Sequence, residues 1–111
     1  MNAVLTTEAI DDLRASAAQA CNLLKAMANE DRLLLMCQLV GAELNVSELE
    51  TLTEIRQPTL SQQLGVLRDE GLVSTRRAGK FIYYTLSSHE VIAMMQTLHS
   101  LYCEKEYVGN G

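Results

Sequence analysis

Apolar residues recur at steps of three and four near the start of the chain, the spacing of one helix face. The stripe predicts an amphipathic helix from Glu8 to Ala28. Its members are Ile10, Leu13, Ala17, Ala20, Leu24 and Met27. Asn29 has the side chain of an N-cap, so a second helix is predicted to follow it to about Val40, with Gly41 as its end.

Two shorter helices are predicted in the middle of the chain. Ser47 and Glu50 stand three apart, as in a capping box, so a third helix should begin near Ser47. Pro58 fits the first turn of a fourth helix that runs to Glu70, where Gly71 supplies the stop. The apolar stripe of this fourth helix is Leu60, Leu64 and Leu67. Two helices joined by a turn in this way indicate a helix-turn-helix.

Period-two alternation follows on either side of the tripeptide AGK and predicts a β-hairpin. The alternating residues are Val73, Thr75, Ile82, Tyr84 and Leu86. A last amphipathic helix is predicted from about Ser88 to Glu104, and the tail YVGNG should fray. The predicted order is therefore α-α-α-α-β-β-α, a mainly α winged helix-turn-helix.

Length and composition agree with one domain over residues 1–111, with flexible ends at 1–7 and 106–111. Hydrophobic residues make up 48% of the chain, enough for a core without disulfides. The start, MNAVLTTEAIDDL, lacks a basic region followed by an apolar stretch, and no run is long enough to span a bilayer. We therefore expect a cytoplasmic protein with no membrane partner.

Charge is distributed unevenly along the chain. The stretch from Arg56 to Lys80 contains five basic and two acidic residues, a net charge of +3. Since the whole chain has a net charge of −5, the rest of it carries −8. An acidic body repels phosphate, so any contact with DNA must be concentrated in this stretch. Polar side chains that can reach base edges lie on or just before the fourth helix. They are Gln57, Thr59, Ser61, Gln62 and Gln63, and the basic hairpin adds Arg76, Arg77 and Lys80.

A polar helix face and a basic turn each occur on many inert surfaces. Together with a helix-turn-helix, they favour binding of double-stranded operator DNA. Units of this kind read DNA as symmetric pairs, so we expect a homodimer through the first and last helices. Ordinary core packing is the other role open to the apolar residues of those two helices.

Three segments resemble the ArsR/SmtB family of winged helix-turn-helix repressors. They are NLLKAMANEDRLLLMCQLV, LNVSELE and QPTLSQQLGVLRDEGLVSTRRAGKFIYYTL. The resemblance implies a homodimer that represses its own operon and leaves DNA when an effector binds. It implies a recognition helix carrying Thr59, Ser61, Gln62 and Gln63, and a wing carrying Arg76, Arg77 and Lys80. Gln63 stands where the family most often has His, so no base preference carries over.

Metal positions of the family do not match here. The arsenic-type pattern ELCVCDL corresponds to ELNVSEL, in which Asn45 and Ser47 replace the thiolates, and neither is a soft ligand. The zinc-type positions on the last helix read Ser88, Glu90, Leu101 and Glu104. Two carboxylates do not make a good zinc site, so no metal site is predicted.

The two histidines are His89 and His99, ten residues apart on the last helix. That separation is too long for both to hold one ion within a subunit. Each is expected to be a helix-end or surface imidazole. A metal site shared across a dimer stays open as an alternative.

Three cysteines, Cys21, Cys37 and Cys103, lie far apart without a CxxC motif and are expected to be thiols. Cys37 and Cys103 match the pair found in the sulfide-responsive BigR and SqrR branch. The resemblance thus implies that a low-molecular-weight persulfide or polysulfide links them through two or more sulfurs. Both could instead be packing residues, and neither has an obvious activating neighbour. Cys21 has no matching role and is expected to pack against the second helix.

The sequence leaves room for other functions. HlyU-type repressors resemble the chain nearly as closely as the BigR and SqrR branch does, so the resemblance does not identify the target genes. A metal-responsive repressor is the alternative within the same fold. A thiol redox enzyme using Cys103 is disfavoured, since no CxxC, Gly-rich loop or paired nucleophile and base is visible. The basic wing disfavours a protein-binding adaptor. We predict no catalytic residues and no cofactor.

Overall fold

The computed structural model describes residues 7–103. Five helices and three strands follow one another along the chain. They are α1 (Thr7–Met27), α2 (Glu30–Gln38), β1 (Leu44–Asn45), α3 (Val46–Thr53), α4 (Thr59–Asp69), β2 (Val73–Ala78), β3 (Phe81–Leu86) and α5 (His89–Tyr102). The winged helix-turn-helix prediction is confirmed, with α3 and α4 as the helix-turn-helix and the hairpin as the wing. Predictions about residues 1–6 and 104–111 lie outside the described range, whereas Thr7, expected to be flexible, is the first residue of α1.

The two strands of the wing belong to a three-stranded antiparallel sheet in the order β1-β3-β2. β2 and β3 pair from Val73 opposite Leu86 to Ala78 opposite Phe81. Gly79 has a positive φ of 63° in the connecting turn, a conformation that glycine adopts without steric cost. The hairpin prediction is thus confirmed.

Strand β1 corrects the predicted element order, which had no strand before the third helix. Leu44 pairs with Tyr84 and Asn45 with Tyr83, so β1 adds an edge to the hairpin. Two residues are too few to produce a visible alternation, which is why the sequence pattern missed the strand.

The start of α3 is also corrected. The capping box joins Asn45 and Glu48, not Ser47 and Glu50. The Asn45 side chain accepts from the Glu48 backbone N–H at 2.9 Å, and the Glu48 carboxylate accepts from the Asn45 N–H at 2.9 Å. Asn45 is buried and already fixed by its pairing in β1, so the helix begins one residue after it. Ser47 is an exposed residue inside the first turn.

The remaining helix ends lie close to their predicted positions. Asn29 caps α2, its side chain accepting from the Arg32 N–H at 3.0 Å. Ser88 caps α5 in the same way through the Val91 N–H. Pro58 lies just before α4 and not within its first turn, although its backbone is already helical.

The core lies between α2, α3, α4 and α5. Its fully buried members include Leu35, Met36, Leu39, Leu49, Leu60, Leu64, Leu67, Val91 and Met95. The predicted stripe of α4 is therefore confirmed. In contrast, α1 buries Ala26 and Met27 at its C-terminal end, and Leu13 is 58% exposed. Cys21 is exposed as well, so the prediction that it packs against α2 is wrong.

No described helix combines the length and the apolar character that a membrane crossing needs.

Candidate DNA interface and thiol pair

Helix α4 separates an apolar face from a polar one. Leu60, Leu64 and Leu67 face the core, whereas Ser61 and Gln62 are exposed. Gln57 is exposed just before the helix, and its side-chain oxygen accepts from the Ser61 N–H at 3.0 Å. That bond satisfies one of the backbone donors that every helix N-terminus leaves open.

Thr59 and Gln63, also expected on the exposed face, are half-buried. The reason for Gln63 is a contact that the sequence did not reveal. Arg32 of α2 donates from Nη1 to Oε1 of Gln63 at 2.8 Å. The same guanidinium donates from Nε to the Ala26 carbonyl and from Nη2 to the Lys25 carbonyl at 3.3 Å. Since 31 residues separate Arg32 from Gln63, no local pattern signals their pairing.

Arg76 on the wing is held by an acidic residue. Its Nε and Nη2 donate to the two carboxylate oxygens of Glu43, at 2.9 and 2.8 Å. The guanidinium also lies 5.1 Å from the centre of the Tyr83 ring. The hydrogen bond from Arg76, aided by its charge, lowers the pKa of Glu43. Half of the charge expected from the Arg76–Arg77 pair is thus already matched.

Arg77 and Lys80 have a different setting at the tip of the wing. Arg77 donates from Nε to the Gly79 carbonyl at 3.2 Å, and Lys80 lies 5.5 Å from the centre of the Phe81 ring. Both are exposed, and neither is ion-paired with a carboxylate in the part of the chain described. Their charges are available to an external anion.

Cys37 and Cys103 lie near one another, although their helices are far apart in sequence. Cys37 is on α2, and Cys103 directly follows α5. Burial raises the pKa of the Cys37 thiol, and the neighbouring Cys103 raises it further. A surface cavity of about 230 Å³ is lined by Cys37, Val40, Met95, Gln96 and His99. Cys103 does not line this cavity, and its N–H donates to the His99 carbonyl at 2.8 Å as the last backbone bond of α5.

Both thiols are free and exposed in the described chain, as is Cys21. Both residues are exposed, although the Cys37 thiol is buried enough for its pKa to be raised. A thiolate, not a thiol, attacks disulfide sulfur, so a raised pKa slows Cys37 at neutral pH. The structure therefore provides two accessible thiols, of which that of Cys37 lies beside a small cavity.

Metal ligands are not gathered within residues 7–103: no group of three or more His, Cys, Asp or Glu side chains could hold an ion there. His89 begins α5 and His99 lies near its end, and both are exposed. Glu104, one of the zinc-type positions, lies outside the described range.

Known proteins are similar to this chain over most of its length. Residues 29–75 match the family model described as "Bacterial regulatory protein, arsR family". The transcriptional activator HlyU of Vibrio cholerae is 48% identical over 86% of this chain and 88% of its own length. Its solved reduced form has a TM-score of 0.80 at 50% identity, covering 83% of this chain and 97% of that one.

A repressor is similar to almost the same degree. The crystal structure of the transcriptional repressor BigR from Xylella fastidiosa has a TM-score of 0.78 at 43% identity, covering 89% of this chain and 98% of that one. A Mycobacterium bovis domain described as homodimeric and DNA-binding has a TM-score of 0.71 at 29% identity, covering 86% and 88%. The chain therefore belongs to the arsR family of bacterial regulatory proteins, as a DNA-binding transcriptional regulator, not an enzyme, related to HlyU and BigR.

Proposed function

We propose that this protein is a cytoplasmic, homodimeric repressor whose affinity for operator DNA is switched by reactive sulfur through Cys37 and Cys103. The observation that carries the proposal is the closeness of these two thiols, which is sufficient for Cys103 to raise the pKa of Cys37. Cys37 lies on α2 beside a small cavity, and Cys103 directly follows α5. Membership of the family supplies the DNA-binding part.

The DNA-binding surface in this proposal consists of α4 and the wing. Gln57, Thr59, Ser61, Gln62 and Gln63 would enter the major groove, where short polar side chains can reach base edges and phosphates. Arg77 and Lys80 would contact the adjacent backbone or minor groove. Arg76 would contribute less to phosphate binding, because Glu43 already neutralises it.

The dimer in this proposal is formed through α1 and α5. Large apolar side chains remain exposed on these helices, namely Ile10, Leu13, Leu24, Leu101 and Tyr102. Exposed apolar side chains grouped in this way mark a surface that a partner protein can bury. A second copy would also place two copies of α4 at the spacing that symmetric operators require. The homodimeric relative from Mycobacterium bovis supports the pairing of two copies.

The sulfur chemistry can be written with a dialkyl trisulfide, R–S–S–S–R, as the effector. The Cys37 thiolate attacks the central sulfur, the bond from that sulfur to one outer sulfur breaks, and RS⁻ leaves. The Cys103 thiolate then attacks the same central sulfur and displaces the second RS⁻. A Cys37–S–S–S–Cys103 bridge with one inserted sulfur results. Each thiol releases a proton to water and two electrons pass to the departing thiolates.

An inserted sulfur relaxes the geometry that a direct disulfide imposes. A direct bond needs Cα atoms within about 7 Å, and each additional sulfur extends the reach by roughly 2 Å. A bridge between α2 and the end of α5 would restrain the two helices that flank the helix-turn-helix. The bridge could thus favour one of two arrangements of the paired α4 helices, and so change the affinity for the two operator half-sites.

Fluorescence anisotropy tests the proposal. The reduced, metal-free protein is titrated onto a duplex taken from upstream of its own gene, before and after treatment with glutathione trisulfide. We expect tight binding that the trisulfide weakens in the wild type, and no weakening in Cys37→Ser or Cys103→Ser. Cys21→Ser is the matched control, since Cys21 is also an exposed thiol, and should respond like the wild type. A response that persists in Cys37→Ser would contradict the thiol switch.

A metal-responsive repressor is the second candidate within the family. Its support is the presence of His89 and His99 on α5, where ions shared between two copies could be held. Release of DNA by Zn²⁺ in the Cys37→Ser variant would establish it in place of the sulfur switch. The relatives include both an activator and a repressor, so the same titration should be paired with transcription from the bound promoter.

A further inference from the structure

Gln63 occupies a central position on the polar side of α4, and its side-chain oxygen already has a donor. Arg32 Nη1 lies 2.8 Å from Oε1 of Gln63. An arginine side chain can donate hydrogen bonds but cannot accept them. The contact therefore decides which end of the Gln63 amide faces Arg32: the oxygen does, and the two N–H bonds of Nε2 remain for another partner.

Arg32 is itself held firmly. Its Nε donates to the Ala26 carbonyl and its Nη2 to the Lys25 carbonyl, both at the C-terminal end of α1. Those carbonyls lie at the negative end of the helix dipole, which a cation stabilises. The side chain is half-buried, and its planar fork uses Nε, Nη1 and Nη2 at once. Rotation of the guanidinium to release Gln63 would break the contacts with α1.

Each base pair offers a different pattern to such an amide. Adenine is read by a glutamine through two bonds, one accepted by the side-chain oxygen from N6 and one donated by the nitrogen to N7. Guanine instead offers two neighbouring acceptors, N7 and O6. An amide whose oxygen is turned toward Arg32 directs its N–H groups away from Arg32, and this orientation suits guanine. Adenine needs that oxygen as the acceptor for its N6 donor, although the oxygen keeps a second lone pair, so the preference comes from the orientation of the amide.

We propose that Arg32 fixes Gln63 as a hydrogen-bond donor and thereby makes α4 select guanine over adenine at one base pair of each half-site. Arg32 acts here as a positioning residue and Gln63 as the reading residue. The inference rests on the proposed entry of α4 into the major groove.

Two experiments test this inference. The protein first selects its preferred site from a duplex library with a randomised centre. Anisotropy titration then measures its affinity for single-base variants of that site. In the wild type we expect guanine at one position of each half-site to be favoured over adenine by about tenfold. Gln63→Met, which keeps the length of the side chain without its polar atoms, should bring that ratio close to one.

Arg32→Met is the decisive variant, because it leaves Gln63 in place and frees its oxygen. We expect the guanine-to-adenine ratio at that one position to fall or reverse, with the other positions unchanged. Arg32→Lys guards against a folding defect from the lost contacts with α1. It keeps the positive charge there, but one ammonium group cannot reproduce the planar fork, so the same change in ratio is expected. Circular dichroism confirms that each variant is folded.

Several results would overturn the inference. If Gln63→Met removes the guanine preference while both Arg32 variants retain it in full, Gln63 does not need Arg32. If the wild type favours adenine at the position that Gln63→Met affects, the donor assignment is wrong. Failure of the underlying DNA proposal looks different, since the wild type would then enrich no sequence at all, and the role of Gln63 would fall with it.

Discussion

Arg76 and Arg77 are neighbours in β2, yet their guanidinium groups have different partners. Glu43 holds Arg76 with two hydrogen bonds, whereas Arg77 bonds to the Gly79 carbonyl and keeps its charge unmatched. We expect Arg77→Ala to weaken DNA binding at all sequences and to reduce the slope of log K against log salt by about one. Arg76→Ala should change the slope less. Equal slopes for the Arg77→Ala and wild-type proteins would contradict the assignment of the wing.

Glu43 offers the complementary test at the same site. Glu43→Gln removes a negative charge and releases Arg76, so we expect tighter DNA binding with a steeper salt dependence. Anisotropy titrations over a range of salt concentrations measure both effects. Glu54→Gln is a suitable control, because Glu54 is an exposed carboxylate with no ion pair to a described residue. The same gain in Glu54→Gln would show that net charge alone, and not release of Arg76, is responsible.

Cys37 should respond to pH in a way that depends on Cys103. Burial, and then Cys103, raise the pKa of Cys37, so its thiolate forms at higher pH than that of an ordinary cysteine. The protonated Cys37 thiol therefore contributes to the free energy of unfolding in full below the ordinary thiol pKa. This contribution is lost as the pH rises through the raised pKa. Cys103→Ser removes one cause, so the pH midpoint of Cys37 alkylation by iodoacetamide, followed by mass spectrometry, should fall. An unchanged midpoint would mean that the two thiols do not interact.

Helix α3 shows how a short helix depends on its first residues. The buried Asn45 accepts from the Glu48 N–H and forms part of β1 as well. We expect Asn45→Ala to lower the free energy of unfolding by about 1–2 kcal/mol, the cost of losing an N-cap. Urea denaturation followed by circular dichroism measures the loss. Ser47→Ala, at the exposed position that the sequence pattern favoured as the cap, should cost much less, and an equal cost would contradict the observed boundary.

Elements were predictable from the sequence where the signal was local. The stripe Leu60, Leu64 and Leu67 identified α4 and its buried face, and alternation identified the hairpin. Asn45 and Ser47 each stand three residues before a glutamate, so spacing alone could not choose between them, and pairing with Tyr83 decided it. The contacts from Arg32 to Gln63 and from Arg76 to Glu43 span 31 and 33 residues. Periodicity carries no information about such contacts, so this part of the site required the fold.

The whole molecule has an apolar surface that one chain does not cover. Leu13 and Leu24 on α1 and Leu101 on α5 are each at least half exposed. We expect Leu24→Asp and Leu101→Asp to convert a dimer into monomers, because a buried charge without a partner is costly. Light scattering after size-exclusion chromatography measures the mass. Leu52→Asp is the control, since Leu52 is equally exposed but lies on α3. Dissociation by Leu52→Asp alone would place the interface elsewhere.

Helix α2 is only nine residues long, and it carries Arg32 and Cys37 less than two turns apart. Both residues therefore share one unbroken stretch of helical backbone. A pull on Cys37 toward α5 would therefore also displace the guanidinium that orients Gln63. Bridge formation would then alter which base is preferred as well as how tightly DNA is bound. Repeating the base-variant titrations with the bridged protein would detect this change. Oxidation would in that case redirect the regulator to different operator sequences.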